Sequence, residues 1–264
     1  MIPESKAAEA LNSLVDVLKN FEPQRNYLSP LHRQRIQGLV DRIPETSPAK
    51  PIARIMQACF FRDFDTAETE LEQAATTALN DSDLEVNVAK GLSETFQFNW
   101  FLSFIKSIIS HRQDDPSFLY QTSYGLCAFG MYSLAWEFCC QLEKLNMEPH
   151  KYRDHIEQQA YKYQELGITD EAVANYLTEA MVPVRSFLAG NPQVSYRLSN
   201  EVFDDSDLDG IAFILRIDAT TEEILDLSES ISEHLSKSDL DDKVDELFAI
   251  SVWGYAAEEY QHAS

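Results

Sequence analysis

The chain has 264 residues, with 21 Lys and Arg against 44 Asp and Glu and a formal net charge of −23. Hydrophobic residues make up 44% and aromatic residues 11%, enough for packed domains and too much for a disordered acidic chain, while 8 Gly and 10 Pro exclude collagen-like and linker-dominated architectures. The densest basic spot is the short Arg33–Arg35 stretch, so the charge argues against binding a nucleic-acid backbone or an anionic membrane and favours a basic protein or peptide partner.

The start, Met1 to Lys6, lacks a basic stretch followed by an apolar run, so no signal peptide is expected. The most apolar stretches, 98–110 and 125–136, fall short of the roughly 20 residues that span a bilayer. A cytoplasmic protein is the expectation. Cys59, Cys127, Cys139 and Cys140 do not read as a disulfide framework there, and the adjacent Cys139 and Cys140 suit neither a zinc site nor a redox pair.

Charge divides the chain into residues 1–50 at +1, 51–186 at −10 and 187–264 at −14. The turn residues Ala189-Gly190-Asn191-Pro192 mark a boundary. We read residues 1–47 as a helical pair, 48–186 as a helical-repeat domain on which that pair packs, and 187–264 as a small acidic α/β domain. In the first part Ala8, Leu11, Val15 and Leu18 recur at helical spacing. Ser29 then supplies an N-cap with Pro30 at the first helical position, followed by Ile36, Leu39, Val40 and Ile43.

The middle part repeats. Phe64, Phe98 and Tyr132 are 34 residues apart. The same offset relates Ala67, Phe101 and Ala135, then Leu71, Ile105 and Cys139, then Ala74, Ile108 and Leu142, and upstream Ala58, Leu92 and Leu126. A looser fourth unit, with Tyr163, Gly167, Ala172 and Tyr176, follows an insertion of three residues. Each unit has the size of a helix, a tight turn and a second helix, with turns at 61–64, 95–98, 129–132 and 166–169. Gly130 and Gly167 suit the helix ends in the last two turns.

This pattern resembles the tetratricopeptide (TPR) repeat over about residues 48–186. The third unit reproduces the family's G-x-Y-x-x-A core with Gly130, Tyr132 and Ala135. The other units are degenerate: Arg62 and Phe96 stand where that glycine would be, and Phe101 replaces the small alanine. The resemblance implies a mainly α fold, a right-handed TPR-like helical-hairpin solenoid. It also implies a concave face lined by the first helix of each unit. By position that face would present Lys90 and Glu94, then Tyr120 and Tyr124, then Asp154, Glu157 and Tyr161. Aromatics with carboxylates suit a segment bearing basic side chains. With chiefly Lys90 as its cation, the face does not match the family's carboxylate clamp.

The period changes after 187. Val194, Tyr196 and Leu198 alternate as in a half-buried strand, and Ile211–Ile217 is a short apolar run. Thr220-Thr221-Glu222-Glu223 is a capping box opening a helix with Ile224, Leu227, Ile231 and Leu235. Phe248–Trp253 reads as a third strand or the end of a helix. A ββαβ order is the expectation, with a continued helical array as the alternative.

Catalytic signals are weak. Asp205-Ser206-Asp207-Leu208-Asp209-Gly210 mimics the opening of a calcium loop, but Arg216 stands at the position of the bidentate Glu, so a solvated hairpin loop is favoured over a cation site. His150 and His155, five apart, fall on different helical faces. Cys59 and Cys127 occupy equivalent repeat positions, which reads as packing. No glycine-rich phosphate loop or nucleophile elbow occurs. Neither cofactor nor metal is expected. The reading is a non-enzymatic adaptor or chaperone-like module that binds a protein or basic peptide on its helical face. The alternative is an acidic inhibitor or immunity-type protein that covers a basic site through its C-terminal domain.

Overall fold

In the computed structural model, which describes residues 4–21, 29–77, 81–148, 150–205, 208–240 and 242–254, the apolar periodicities become helices. The chain is mainly helical, with a three-stranded sheet towards its C-terminal end. It divides into two compact units. One comprises the chain up to Gln97 together with Leu188–Val194; the other comprises Phe98–Phe187 and the chain from Ser195 onward. This division runs through the helical part and joins the sheet to helices, whereas charge drew three consecutive segments.

The first unit holds α1 (Glu4–Phe21), α2 (Pro30–Asp41), α3 (Ala49–Phe61), α4 (Phe64–Thr77) and α5 (Ser82–Glu94). Ser29 caps α2: its hydroxyl accepts from the His32 N–H at 3.4 Å, while the Ser29 N–H donates to His32 Nδ1 at 3.2 Å. Histidine thus plays the reciprocal part that Glu or Gln plays in the usual box. Leu14, Ile36, Val40, Ile43, Ala53 and Phe60 form the core beneath α1–α3. Lys50 enters that core at 3% exposure. Its ammonium donates to the Val40 carbonyl at 2.9 Å and the Ile43 carbonyl at 3.1 Å, and pairs with Glu45 at 3.2 Å. It thereby satisfies the C-terminal end of α2, as a cation suits that end of the helix dipole.

The second unit holds α6 (Phe98–Ile108), a 3-10 turn, α7 (Pro116–Ala128), α8 (Tyr132–Lys144), α9 (Arg153–Leu166), α10 (Asp170–Gly190) as far as Phe187, β1 (Tyr196–Asp205), β2 (Leu208–Ile217), α11 (Thr221–Leu235), α12 (Asp242–Leu247) and β3 (Phe248–Gly254). The first two strands pair antiparallel and β3 runs parallel to β2, in the order β1-β2-β3. A parallel neighbour requires a crossover, and α11 with the short α12 supplies it. The capping box at Thr220 opens α11, with Glu223 reaching back. Ile211, Phe213, Leu215 and Ile217 are buried. Tyr176 of α10 lies 5.9 Å from the Phe213 ring and 5.2 Å from the Phe248 ring, so sheet and helix share a core. Gly210 is demanded by close approach: a Cβ there would run into the Leu247 carbonyl.

One helix ending recurs. Arg62, Phe96, Gly130 and Gly167 all have left-handed backbone, with φ of 60°, 62°, 74° and 70°. The residue after each donates its N–H to the carbonyl five back, Asp63 to Ala58, Gln97 to Leu92, Met131 to Leu126 and Ile168 to Tyr163, each at 2.9 Å. This is the Schellman closure of a helix. The first three sites are 34 residues apart and the fourth lies 37 further on. Arg62 and Phe96, the residues that replace the glycine, adopt its conformation at a cost of about 1 kcal/mol each. Phe96 offsets that cost by packing on Phe64, with centroids 5.8 Å apart.

The first residue of the second helix in the first three pairs also meets similar company. Phe64 packs on Phe96, Phe98 on Phe129 at 5.0 Å and Tyr132 on Tyr163 at 5.3 Å, in each case an aromatic ring 31 or 32 residues downstream. Asn99 at the start of α6 bonds Asn175 at 3.2 Å and Thr178 at 3.1 Å, and Lys106 pairs with Glu171, so α10 runs antiparallel along α6.

Candidate functional site

Asp115 and Pro116 start α7; the Asp115 carboxylate accepts from the Phe118 N–H at 3.1 Å. The helix then buries Phe118, Leu119, Thr122, Ser123 and Leu126. Helical spacing leaves Tyr120 and Tyr124, one turn apart, on the outer side at 38% and 48% exposure. After α8, Asn146 turns left-handed with φ of 56°, and His150, Lys151 and Tyr152 precede α9. Tyr152 is 40% exposed. Its ring stacks on Tyr124, with centroids 5.8 Å apart and planes 26° apart.

His150 sits at the base of this group, 2% exposed. Its ring lies 4.4 Å from Tyr120, 5.8 Å from Tyr152 and 6.5 Å from Tyr124. Burial, with the neighbouring Lys151 charge second, lowers its pKa, so the ring is neutral at pH 7. Nδ1 accepts from the Tyr152 N–H at 3.2 Å, which places the proton on Nε2. That nitrogen is buried and has no hydrogen-bond partner among the described residues. An unpaired buried donor costs about 1–3 kcal/mol. The Lys151 ammonium stands 5.1 Å from the centre of the Tyr124 ring and 4.6 Å from that of Tyr152.

The carboxylates read from the sequence are arranged differently. Arg153 donates to Glu143 at 2.6 Å, to Asp154 at 3.2 Å and to Glu157 at 2.5 Å, with its guanidinium 5.0 Å above Trp136. Asp154 and Glu157 are therefore drawn to an internal cation. Tyr161 stands 55% exposed on α9, in a solvent-facing stripe with Asp154, Gln158 and Glu165. Lys90 and Glu94 belong to the other unit, on α5, where they pair with each other at 3.6 Å. So Tyr120 and Tyr124 come together around His150, Asp154 and Glu157 around Arg153, and Lys90 with Glu94. The sequence reading missed Tyr152 and Lys151, and it set His150 aside. A lysine flanked by two aromatic residues in an inter-helix loop was the available signal.

A second feature lies between α10 and α11. Val182, Phe187 and Leu227 line a groove edged by Glu223, Asp226, Glu233 and Lys237. There His234 Nε2 meets Glu179 at 3.0 Å, and the Ser238 hydroxyl donates to the same carboxylate at 3.2 Å.

Other polar residues serve the fold. Asn200 on β1 donates to the Cys127 and Ala128 carbonyls, the end of α7, at 3.1 and 2.9 Å, and accepts from the Tyr132 hydroxyl at 2.6 Å. His155 Nε2 meets the same hydroxyl at 3.3 Å, and the Tyr163 hydroxyl donates to the Gly130 carbonyl at 2.6 Å. Asp170, 4% exposed, accepts from the Ser133 and Leu134 N–H groups at 3.2 and 2.7 Å. It caps α8 from another helix, because Met131 at the N-cap has no side chain able to do so. Burial pushes its carboxyl up to about 6, against the pull of those two N–H bonds. Cys59 is buried, and burial raises its thiol pKa well above the ordinary value. Burial likewise raises Cys127, to about 11.

Among the described residues no group of three or more His, Cys, Asp or Glu is placed to hold a metal ion, and no helix is long and apolar enough to cross a membrane. The centre of the Asp205–Gly210 loop, Ser206 and Asp207, lies outside the described residues. A scan against family models finds no match for this chain, and searches of the curated proteins and of the solved structures find none.

Proposed function

We propose that this protein is a non-enzymatic, cytoplasmic interaction module, adaptor or chaperone-like, that holds a basic protein segment against the outer, tyrosine-bearing sides of α7 and α9. The observation that carries this reading is the exposure of Tyr120, Tyr124 and Tyr152 as one aromatic group on a chain of net charge −23. Tyrosine supplies contact area with little rotamer entropy to lose, and its ring face attracts cations. The recurring helix ending at Arg62, Phe96, Gly130 and Gly167, and the matching partners of Phe64, Phe98 and Tyr132, support four variants of one helical hairpin. They favour a TPR-like reading of these helix pairs.

The test is calorimetric titration of the full chain with a short peptide rich in Lys and Arg. Binding that weakens clearly between about 50 and 500 mM salt, and weakens again in a Tyr120→Ala/Tyr124→Ala variant, supports the reading. Absence of binding to the unaltered chain overturns it.

The groove between α10 and α11 favours a second reading, in which the acidic C-terminal part covers a basic site on a target. Its apolar floor and its carboxylates at Glu223, Asp226 and Glu233 fit that role. Loss of binding in a Glu223→Gln/Asp226→Asn/Glu233→Gln variant, with the tyrosine variant unaffected, would favour it over the first.

A further inference from the structure

The Tyr124 and Tyr152 rings do not stand empty. Lys151 holds its ammonium within 5.1 Å of one ring centre and 4.6 Å of the other. The two rings are close to parallel, at 26°. They keep this posture although each is about half exposed, because the Tyr152 backbone is pinned to buried His150 and the His150 ring lies beneath all three tyrosines. Exposed aromatic faces carry negative potential at their centres, and an acidic chain strengthens it.

We propose that the Tyr124–Tyr152 pair is the receiving site for a lysine side chain of the basic partner, and that Lys151 is a placeholder which the incoming lysine displaces. This rests on the basic-partner reading above and adds the residue class recognised and the competitor built into the loop. The occupant follows from two observations together: the chain's own lysine already shows which group the rings accept, and the charge of −23 selects cationic segments from solution. Displacement exchanges one ammonium for another, so Lys151 cancels part of the attraction between the rings and the incoming lysine. Removing Lys151 leaves the whole attraction to the partner.

The experiment titrates the full chain with a lysine-rich peptide and follows the Tyr ring resonances by NMR alongside the affinity. Four variants are compared with the unaltered chain. Lys151→Met vacates the rings. Lys144→Met makes the same change in net charge in the last turn of α8. Tyr124→Leu removes one face, and Tyr124→Phe keeps it. Lys151→Met is expected to bind about three- to tenfold tighter, with the Tyr124 and Tyr152 resonances moving on binding. Lys144→Met is expected to tighten binding much less, Tyr124→Leu to bind about tenfold more weakly, and Tyr124→Phe to behave as the unaltered chain.

Equal tightening by Lys151→Met and Lys144→Met would show bulk charge alone and overturn the placeholder. Unchanged affinity in both Lys151→Met and Tyr124→Leu would overturn the site while leaving the basic-partner reading standing. Failure of the unaltered chain and every variant to bind would overturn both.

Discussion

Replacing Asn200 tests how the sheet is tied to the helices in the second unit. The amide donates to the last carbonyls of α7, at 3.1 and 2.9 Å, and accepts from the Tyr132 hydroxyl at 2.6 Å. Two of the three groups keep another partner: the Cys127 carbonyl also accepts from the Gly130 N–H at 3.1 Å, and the Tyr132 hydroxyl also meets His155. Asn200→Ala therefore strands chiefly the Ala128 carbonyl and weakens the other two. With about 1–3 kcal/mol for the orphaned group and about 1 kcal/mol for each of the other two bonds lost, the expected loss is about 3–5 kcal/mol. Asn200→Asp is nearly isosteric but turns both donors into a carboxylate facing two carbonyl oxygens. It should cost more than Ala at pH 7 and recover at low pH, where a protonated carboxyl can donate. The sign follows from linkage. Two facing carbonyls raise the folded-state pKa of that Asp above its unfolded value, so the variant gains stability as pH falls through the folded value. Urea unfolding followed by circular dichroism at pH 5 and 7 measures both variants. An Asn200→Asp chain as stable as the unaltered one at pH 7 would refute the reasoning.

Asp170, pushed up to about 6 by burial, should make the protein relatively more stable as pH falls through 6. The difference in urea midpoint between the unaltered chain and Asp170→Asn, measured from pH 5 to 7.5, should therefore change sharply around pH 6; a flat difference would contradict it. Gly130→Ala places a Cβ 3.3 Å from the Phe213 ring at a left-handed position and should cost about 1–2 kcal/mol. Exposed Asn146, also left-handed, should tolerate Gly and lose about 1 kcal/mol as Ala; thermal unfolding of these three variants checks the order. Gly210→Ala, whose new methyl meets the Leu247 carbonyl, should destabilise by more than about 2 kcal/mol, and a melting temperature within a degree or so of the unaltered chain would show that α12 yields.

Local chemistry was the legible part. Ser29 with Pro30, and Thr220 with Glu223, announce helix starts because a cap is built from residues three apart. The 34-residue offset located the first three turns, and Gly167 marked the fourth after an insertion of three residues. Arg62 and Phe96 looked like departures from the pattern, yet they hold the left-handed turn, because a Schellman closure is dictated by the backbone and needs glycine only as the cheapest occupant. What stayed hidden is long-range. The bonds from Asp170 to residues 133 and 134, and from Asn200 to 127 and 128, join groups 36 to 73 positions apart and leave no periodic trace. Asp154 and Glu157 were read as groove carboxylates, although Arg153, one residue before the first and four before the second on α9, was a local signal for their pairing. The third apolar stretch of the C-terminal part was left open between strand and helix; the six-residue α12 absorbs the helical portion and Phe248–Gly254 is a strand.

The claim on which the functional account turns is that a basic segment lies on the tyrosine-bearing sides of α7 and α9. Hydrogen exchange of the full chain, with and without a saturating lysine-rich peptide, tests it directly. The account predicts slowed exchange in the loop at 150–152 and along the adjoining turns of α7 and α9. Slowing confined to α10 and α11, with 116–128 and 150–166 unchanged, would contradict it.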